Sequence, residues 1–215
     1  MDQQSPKFNE FQLSALNEVI HTGCSHTATA LSNLTSMTYE LIPTLVRPLS
    51  IDEIPSLVGD LEELVVGVVM FIDQPFKAYL ALWFNWDNAK KLWKLLLDHV
   101  PSDPKNLSEI EESTMIEVGN ILHSAFLNAF SDLTGETCFA NSASLAVDMK
   151  GSIAFSLFAD AEFHGAYGFY TQTKIKSQKN SIESCFLCIP TLKGLDFLFK
   201  KIGKDLLYGG NTNFG

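Results

Sequence analysis

The sequence predicts an α+β fold: a single pseudo-two-fold domain with a largely antiparallel sheet and two long helices. Two stretches of helical periodicity, roughly residues 9–34 and 108–134, each precede runs rich in β-branched and aromatic residues. The order helix, strands, short helix occurs twice. Laying Ser14–Ser36 on Ser113–Gly135, 99 positions on, gives eight identical residues, the mark of an internal repeat.

In chain order, Asn9 and Gln12 have the spacing of a capping pair at the start of the first helix. Leu16, Val19, Ile20, Gly23, Ala30, Leu31 and Leu34 form its apolar face. "MTYELIPTLVRPLS" and "LVVGVVMFIDQPFKAYLALWF" read as strands, with a hairpin turn at Asp73 to Pro75, and "NWDNAKKLWKLLLDHV" reads as a short amphipathic helix. "PSDPKN" is the clearest break in the chain. Beyond it, Ser108 and Glu111 make a capping box, and Gly135 is a natural stop for the second long helix. "CFANSASLAVDM", "SIAFSLFAD", "HGAYGFYTQT" and "SIESCFLCIP" read as strands, "TLKGLDFLFKKIG" as a short helix, and "YGGNTNFG" as a disordered tail. The apolar runs of both halves, approximately 9–100 and 106–205, argue for one continuous core spanning 1–215.

Apolar residues are 46% of the 215, enough for a sizeable core. The polar N-terminus lacks the apolar stretch of a signal peptide, and no apolar run reaches the roughly 20 residues of a membrane span. A cytoplasmic location follows as the expectation. A net charge of −10 argues against nucleic acid and anionic membranes as partners. Cys185 and Cys188 have CxxC spacing but lie in a strand, where they point to opposite faces, and no second pair completes a zinc site. With Cys24 and Cys138 they read as buried reduced thiols. His21 and His26, five apart, do not share a helix face well enough for a metal. His99, His123 and His164 stand in no motif, and the serines lack a triad partner at recognisable spacing. Trp83, Trp86 and Trp93 read as core.

The informative feature is a polar line on the second long helix. Met115, Val118, Leu122, Ala125, Ala129 and Leu133 form the face expected to pack on the sheet. Ser113, Glu117, Asn120, Ser124 and Asn128 lie opposite. Glu117 and Asn120 are three apart and so side by side, a carboxylate that can hold a cation beside an amide that donates and accepts at once. Asn120 and Gly119 both weaken a helix interior, Gly by roughly 1 kcal/mol, which suggests close approach of another molecule. Five of the eight repeat identities are polar, and the first helix carries the matching stripe Ser14, Glu18, His21, Ser25, Ser32.

Ser113-x3-Glu117-x2-Asn120 resembles the signature of the CheC/CheX/FliY family of chemotaxis phosphatases, and "LSALNEVIHTGCSHTATALSNL" resembles that family's first copy of the motif. The resemblance covers nearly the whole chain. It implies a two-component signalling enzyme that hydrolyses the aspartyl-phosphate of a CheY-type response regulator. Asn120 would orient the attacking water and Glu117 would pair with the regulator's lysine, with Ser113 and Ser124 beside them as binding residues. It implies no metal of the protein's own; the divalent ion, Mg by expectation, is carried by the regulator. The receptor deamidase CheD and a second copy of the chain are further possible partners. Two positions depart from the pattern. His21 replaces the Asn of the first copy, so Ser14, Glu18 and His21 are expected to form a degenerate site. Ala143 stands where a Pro would follow Asn120, and Pro43 falls one residue short of that spacing in the first half. The alternative is a non-catalytic adaptor for a response regulator, a flagellar switch or a receptor deamidase.

Overall fold

The computed structural model describes residues 9–35, 37–159, 167–177 and 181–208. The first half runs α1 (Glu10–Thr35), β1 (Glu40–Pro43), β2 (Arg47–Ser50), α2 (Ile54–Val58), β3 (Leu64–Gln74), β4 (Ala78–Asn85) and α3 (Trp86–Leu97). The second runs α4 (Glu109–Thr134), β5 (Phe139–Ala140), β6 (Ser144–Met149), α5 (Lys150–Ala159), β7 (Tyr167–Lys176), β8 (Ser181–Pro190) and α6 (Leu192–Tyr208). The same order of seven elements thus occurs twice.

The eight strands form one sheet in the order β1-β7-β8-β4-β3-β5, with β2 also on β7 and β6 also on β3. Every pairing is antiparallel. The two long hairpins, β3–β4 and β7–β8, meet at the central β4–β8 pair. The short strands are exchanged: β1 and β2 extend the hairpin of the second half, and β5 and β6 extend that of the first. A pseudo-two-fold axis through the β4–β8 seam relates the halves.

Strand alternation sends successive side chains to opposite faces, and each face has its own helical cover. On one face Leu16, Val19, Met115, Val118, Phe126 and Phe130 of the long helices pack on Val66, Val68, Leu80 and Leu82. On the other, Ile54 of α2 and Ile153, Leu157 and Phe158 of α5 pack on Val65, Ala81, Trp83 and Leu187. Cys188 belongs to the first layer and Cys185 to the second, and all four cysteines are free thiols. Trp83 and Trp93 are fully buried; Trp86 is half-buried with its ring edge-on to Trp93 at 5.6 Å.

The expected strand "SIAFSLFAD" is instead the helix α5. Its buried residues, Ile153, Ala154, Leu157 and Phe158, have helical spacing, and a short apolar run reads equally well as a buried strand. Its counterpart in the first half is α2, which the sequence pattern does not announce. The strand runs expected over "MTYELIPTLVRPLS" and "CFANSASLAVDM" are each broken into two short strands, and the hairpin turn expected over Asp73 to Pro75 falls at 75–77. Of the expected tail, 208–215, Tyr208 instead ends α6, and 209–215 lie outside the described residues, as does His164.

Candidate active site

The helix α4 is pinned at both ends. Glu111 Oε2 accepts from the Ser108 N–H at 2.6 Å and the Ser108 hydroxyl at 2.7 Å, and its Oε1 bonds His99 Nε2 at 2.9 Å. The Ser108 bonds, with a smaller contribution from His99, hold the Glu111 carboxyl below the usual carboxylate range. The Trp93 indole donates to the Glu111 carbonyl at 2.9 Å, tying α3 to the same turn. At the other end Gly135 takes φ 67° and its N–H donates to the Ser131 carbonyl at 2.8 Å. The expected Asn9–Gln12 cap of α1 forms reciprocally at 2.9 and 2.8 Å.

Two glycines set how closely the layers approach. A Cβ on Gly119 would lie 2.2 Å from Val68 Cγ1, so this glycine lets α4 sink onto β3. That corrects the expectation that Gly119 marks an approaching molecule: the close neighbour is the protein's own sheet. A Cβ on Gly23 would lie 3.3 Å from Phe126 Cα, at the crossing of α1 and α4. Gly23 meets Phe126 while Met37, just beyond α1, lines a groove with Ser113 and Glu117, so the two long helices run antiparallel.

With its apolar face buried, α4 presents the polar line outward. Ser113, Glu117, Ser124 and Asn128 are exposed and Asn120 is half-buried. The Ser113 hydroxyl donates back to the Ile110 carbonyl at 3.2 Å. Among the described residues neither Glu117 nor Asn120 has a side-chain hydrogen-bond or ion-pair partner, so their polar atoms face outward, available to another molecule. On α1, Ser14, Glu18 and His21 are exposed in the same relative places, and Ser25 donates to the His21 carbonyl at 3.1 Å. The pseudo-two-fold puts the two constellations toward opposite ends of the helix pair. Ala143 is buried at the head of β6, within the helical-side core, and Pro43 ends β1.

The sequence pattern missed the surroundings of Glu117. An open groove runs beside it, walled by Ser113, Thr114 and Val118 of α4 and by Met37, Leu95, Leu96 and Leu97. It continues across Lys90, Lys91 and Lys94 of α3 to Val100. The signal that could have found it is the exposed apolar tail of α3 next to its lysines. A cavity of about 420 Å³ lies elsewhere, under β4, β7 and β8, lined by Lys150, Tyr170 and Cys185 and none of the stripe residues. Burial pushes the Tyr170 hydroxyl and the Cys185 thiol up, which keeps both protonated and poorly nucleophilic near neutral pH.

Among the described residues no cluster of His, Cys, Asp or Glu could hold a metal, and no helix is long and apolar enough to cross a membrane.

No family model matches the chain. It is 22% identical over 201 residues, 92% of its length and 96% of the relative's, to the CheY-P phosphatase CheC of Bacillus subtilis. It is 25% identical over 126 residues, 59% of its length and 64% of the relative's, to the putative CheY-P phosphatase CheC1 of Halobacterium salinarum. Its fold is that of FliY from Thermotoga maritima, with a TM-score of 0.73 at 13% identity over 92% of this chain and 98% of that one. The chain thus has the fold of FliY and, along nearly its full length, a sequence likeness to CheC, and it is similar to members of the CheC/CheX/FliY family.

Proposed function

We propose that the protein hydrolyses the aspartyl-phosphate of a CheY-type response regulator through one active site, Glu117 and Asn120 on α4. The observation that carries this reading is that the two side chains are adjacent, outward and unpartnered among the described residues, on a helix clamped at both ends. Phosphoryl transfer asks a protein chiefly for positioning and charge stabilisation. An amide does not act as a base near neutral pH, but it can hold a water in line with the phosphorus, one atom accepting and the other donating. Glu117, one turn earlier, offers a carboxylate to the regulator's active-site lysine and so sets the register in which Asn120 enters. Ser113 and Ser124 flank the pair. The divalent ion that stabilises the transferring phosphoryl group belongs to the regulator.

His21 sits where the amide would be on α1. Its ring cannot offer an amide's fixed donor and acceptor to one water, so Ser14, Glu18 and His21 form a site that binds weakly or not at all. The deciding experiment follows phosphate loss from a phosphorylated regulator, alone and with wild type, Asn120→Ala or His21→Ala. Acceleration by the wild type and by His21→Ala, absent with Asn120→Ala, supports the reading. Binding without acceleration by the wild type would make the protein an adaptor.

A further inference from the structure

We propose that the groove beside Glu117, floored by Met37 and Leu95 and edged by Lys91 and Lys94, is the docking surface for the phosphorylated receiver domain. At the pseudo-symmetric place its Met37–Leu95 floor is replaced, among the described residues, by an ion pair. This docking role rests on the phosphatase reading above and extends it to the surface that brings the substrate in.

Three observations carry it. The groove is continuous with the site, since Ser113 and Glu117 form one of its walls. Its floor and ends are apolar and accessible: Met37 and Val100 are each 38% exposed, and Leu95 is half-buried. A docking partner would cover this surface. Third, the pseudo-two-fold supplies an internal control. The caps of α3 and α6 match, Asn85 accepting from the Asn88 N–H and Thr191 from the Gly194 N–H, which sets Leu95 against Lys201. The offset of the long helices sets Met37 against Glu136. Glu136 and Lys201 form an ion pair. Where the Asn120 side has an open apolar floor, the His21 side has two charges satisfied by each other. The groove and the intact motif therefore occur on the same side of the molecule, and both are altered together on the other.

Charge favours the same occupant. An aspartyl-phosphate site carries a multiply charged phosphoryl group and the carboxylates that hold its divalent ion. In a chain of net charge −10, the row Lys90, Lys91 and Lys94 offers this acidic face a cationic edge. Lys90 and Lys94 are held by the exposed Asp87 and Asp98 at 2.8 and 2.6 Å, surface pairs weak enough to be traded for a partner's carboxylates.

The test transplants the closed side onto the open one. Met37→Glu with Leu95→Lys should build the Glu136–Lys201 pair in the groove. Initial rates of phosphate loss are measured across regulator concentrations for this double variant, for the surface variant Lys91→Glu and for wild type. Far-ultraviolet circular dichroism and the melting temperature check folding. Expected is a KM raised about 10-fold or more with kcat within 2-fold of wild type, and for Lys91→Glu a smaller rise that shrinks as salt is added. Unchanged KM in both variants overturns the groove and leaves the phosphatase reading standing. An inactive wild type overturns the phosphatase reading. The groove is then judged by binding of a beryllofluoride-loaded receiver, which the variants must weaken. A change in sedimentation in place of KM would show the groove to be a contact between copies of this chain, and would also overturn the proposal.

Discussion

The two halves of this molecule share a skeleton and differ at their surfaces. Each contributes a capped long helix, two short strands, a short helix, a long hairpin and a second amphipathic helix in the same order. Inside, residues of both halves pack together in each of the two apolar layers on the faces of the sheet. Outside, Asn120 corresponds to His21, and the Met37–Leu95 floor corresponds to the Glu136–Lys201 pair. Core positions answer to the neighbouring half, because the sheet is shared, while exposed positions answer only to what approaches from solvent. One surface can thus change while the buried repeat stays in place.

The largest expected effect bears on the polar stripe. Asn120→Ala should lower the acceleration of phosphate loss by about 100-fold or more, because the water loses its positioning, while binding of an activated receiver changes little. Glu117→Ala should weaken both binding and turnover. Single-turnover rates and a binding isotherm separate the two, and retained turnover in Asn120→Ala would remove the functional distinction between the halves.

Next comes packing. Gly119→Ala forces a methyl against Val68 and should destabilise by about 1–3 kcal/mol in denaturant unfolding. Gly23→Ala meets the Phe126 backbone at a distance that needs only a slight shift, and a helix gain of about 1 kcal/mol offsets the strain, so it should stay within about 1 kcal/mol of wild type. Equal effects would mean that the two glycines do the same job.

The third prediction concerns His123, whose counterpart on α1 is Cys24. Burial pushes His123 down from 6.5 to about 3, and neither ring nitrogen has a partner among the described residues. Between those values the unfolded chain takes up a proton that the folded chain refuses. Stability therefore falls as pH drops through this window, by up to about 1.4 kcal/mol per pH unit. His123→Leu should remove that slope and raise stability at neutral pH by about 1 kcal/mol, through loss of two unsatisfied polar atoms. Unfolding curves at several pH values check it; an unchanged slope would place the titration elsewhere.

The smallest effect sharpens the comparison most. His21→Asn in the Asn120→Ala background rebuilds the motif on α1 but not the groove beside it. Recovery should stay below about a tenth of wild-type acceleration, a barrier difference of about 1.4 kcal/mol. Full recovery would show that the motif alone suffices and that the groove does not matter.

Much of this was legible in the chain. The capping box at Ser108, the stop at Gly135, the Asn9–Gln12 cap and the opposed thiols of β8 are local signals, and they appear as expected. The stripe was visible because helical spacing turns sequence into a face. What stayed hidden depends on distant neighbours. Only β3 explains Gly119, since nothing near it in sequence says that Val68 lies above it. The helix α5 hid behind an apolar run short enough to serve either structure. The groove joins residues from Met37 to Val118, and no sequence period spans that distance.

The exchange of short strands bears on how the chain acquires its shape. The partner of β1 and β2 is β7, more than a hundred residues away. As the polypeptide emerges from the ribosome, those first strands have no edge to join until most of the second half has been made. The early chain must therefore wait with unpaired backbone, and its assembly should be slow for its size and sensitive to aggregation at that stage. A fragment ending after the first half would meet the same problem permanently, with β3 also deprived of β5 and β6. Both copies of the repeat are thus retained together by folding, whether or not both still perform chemistry.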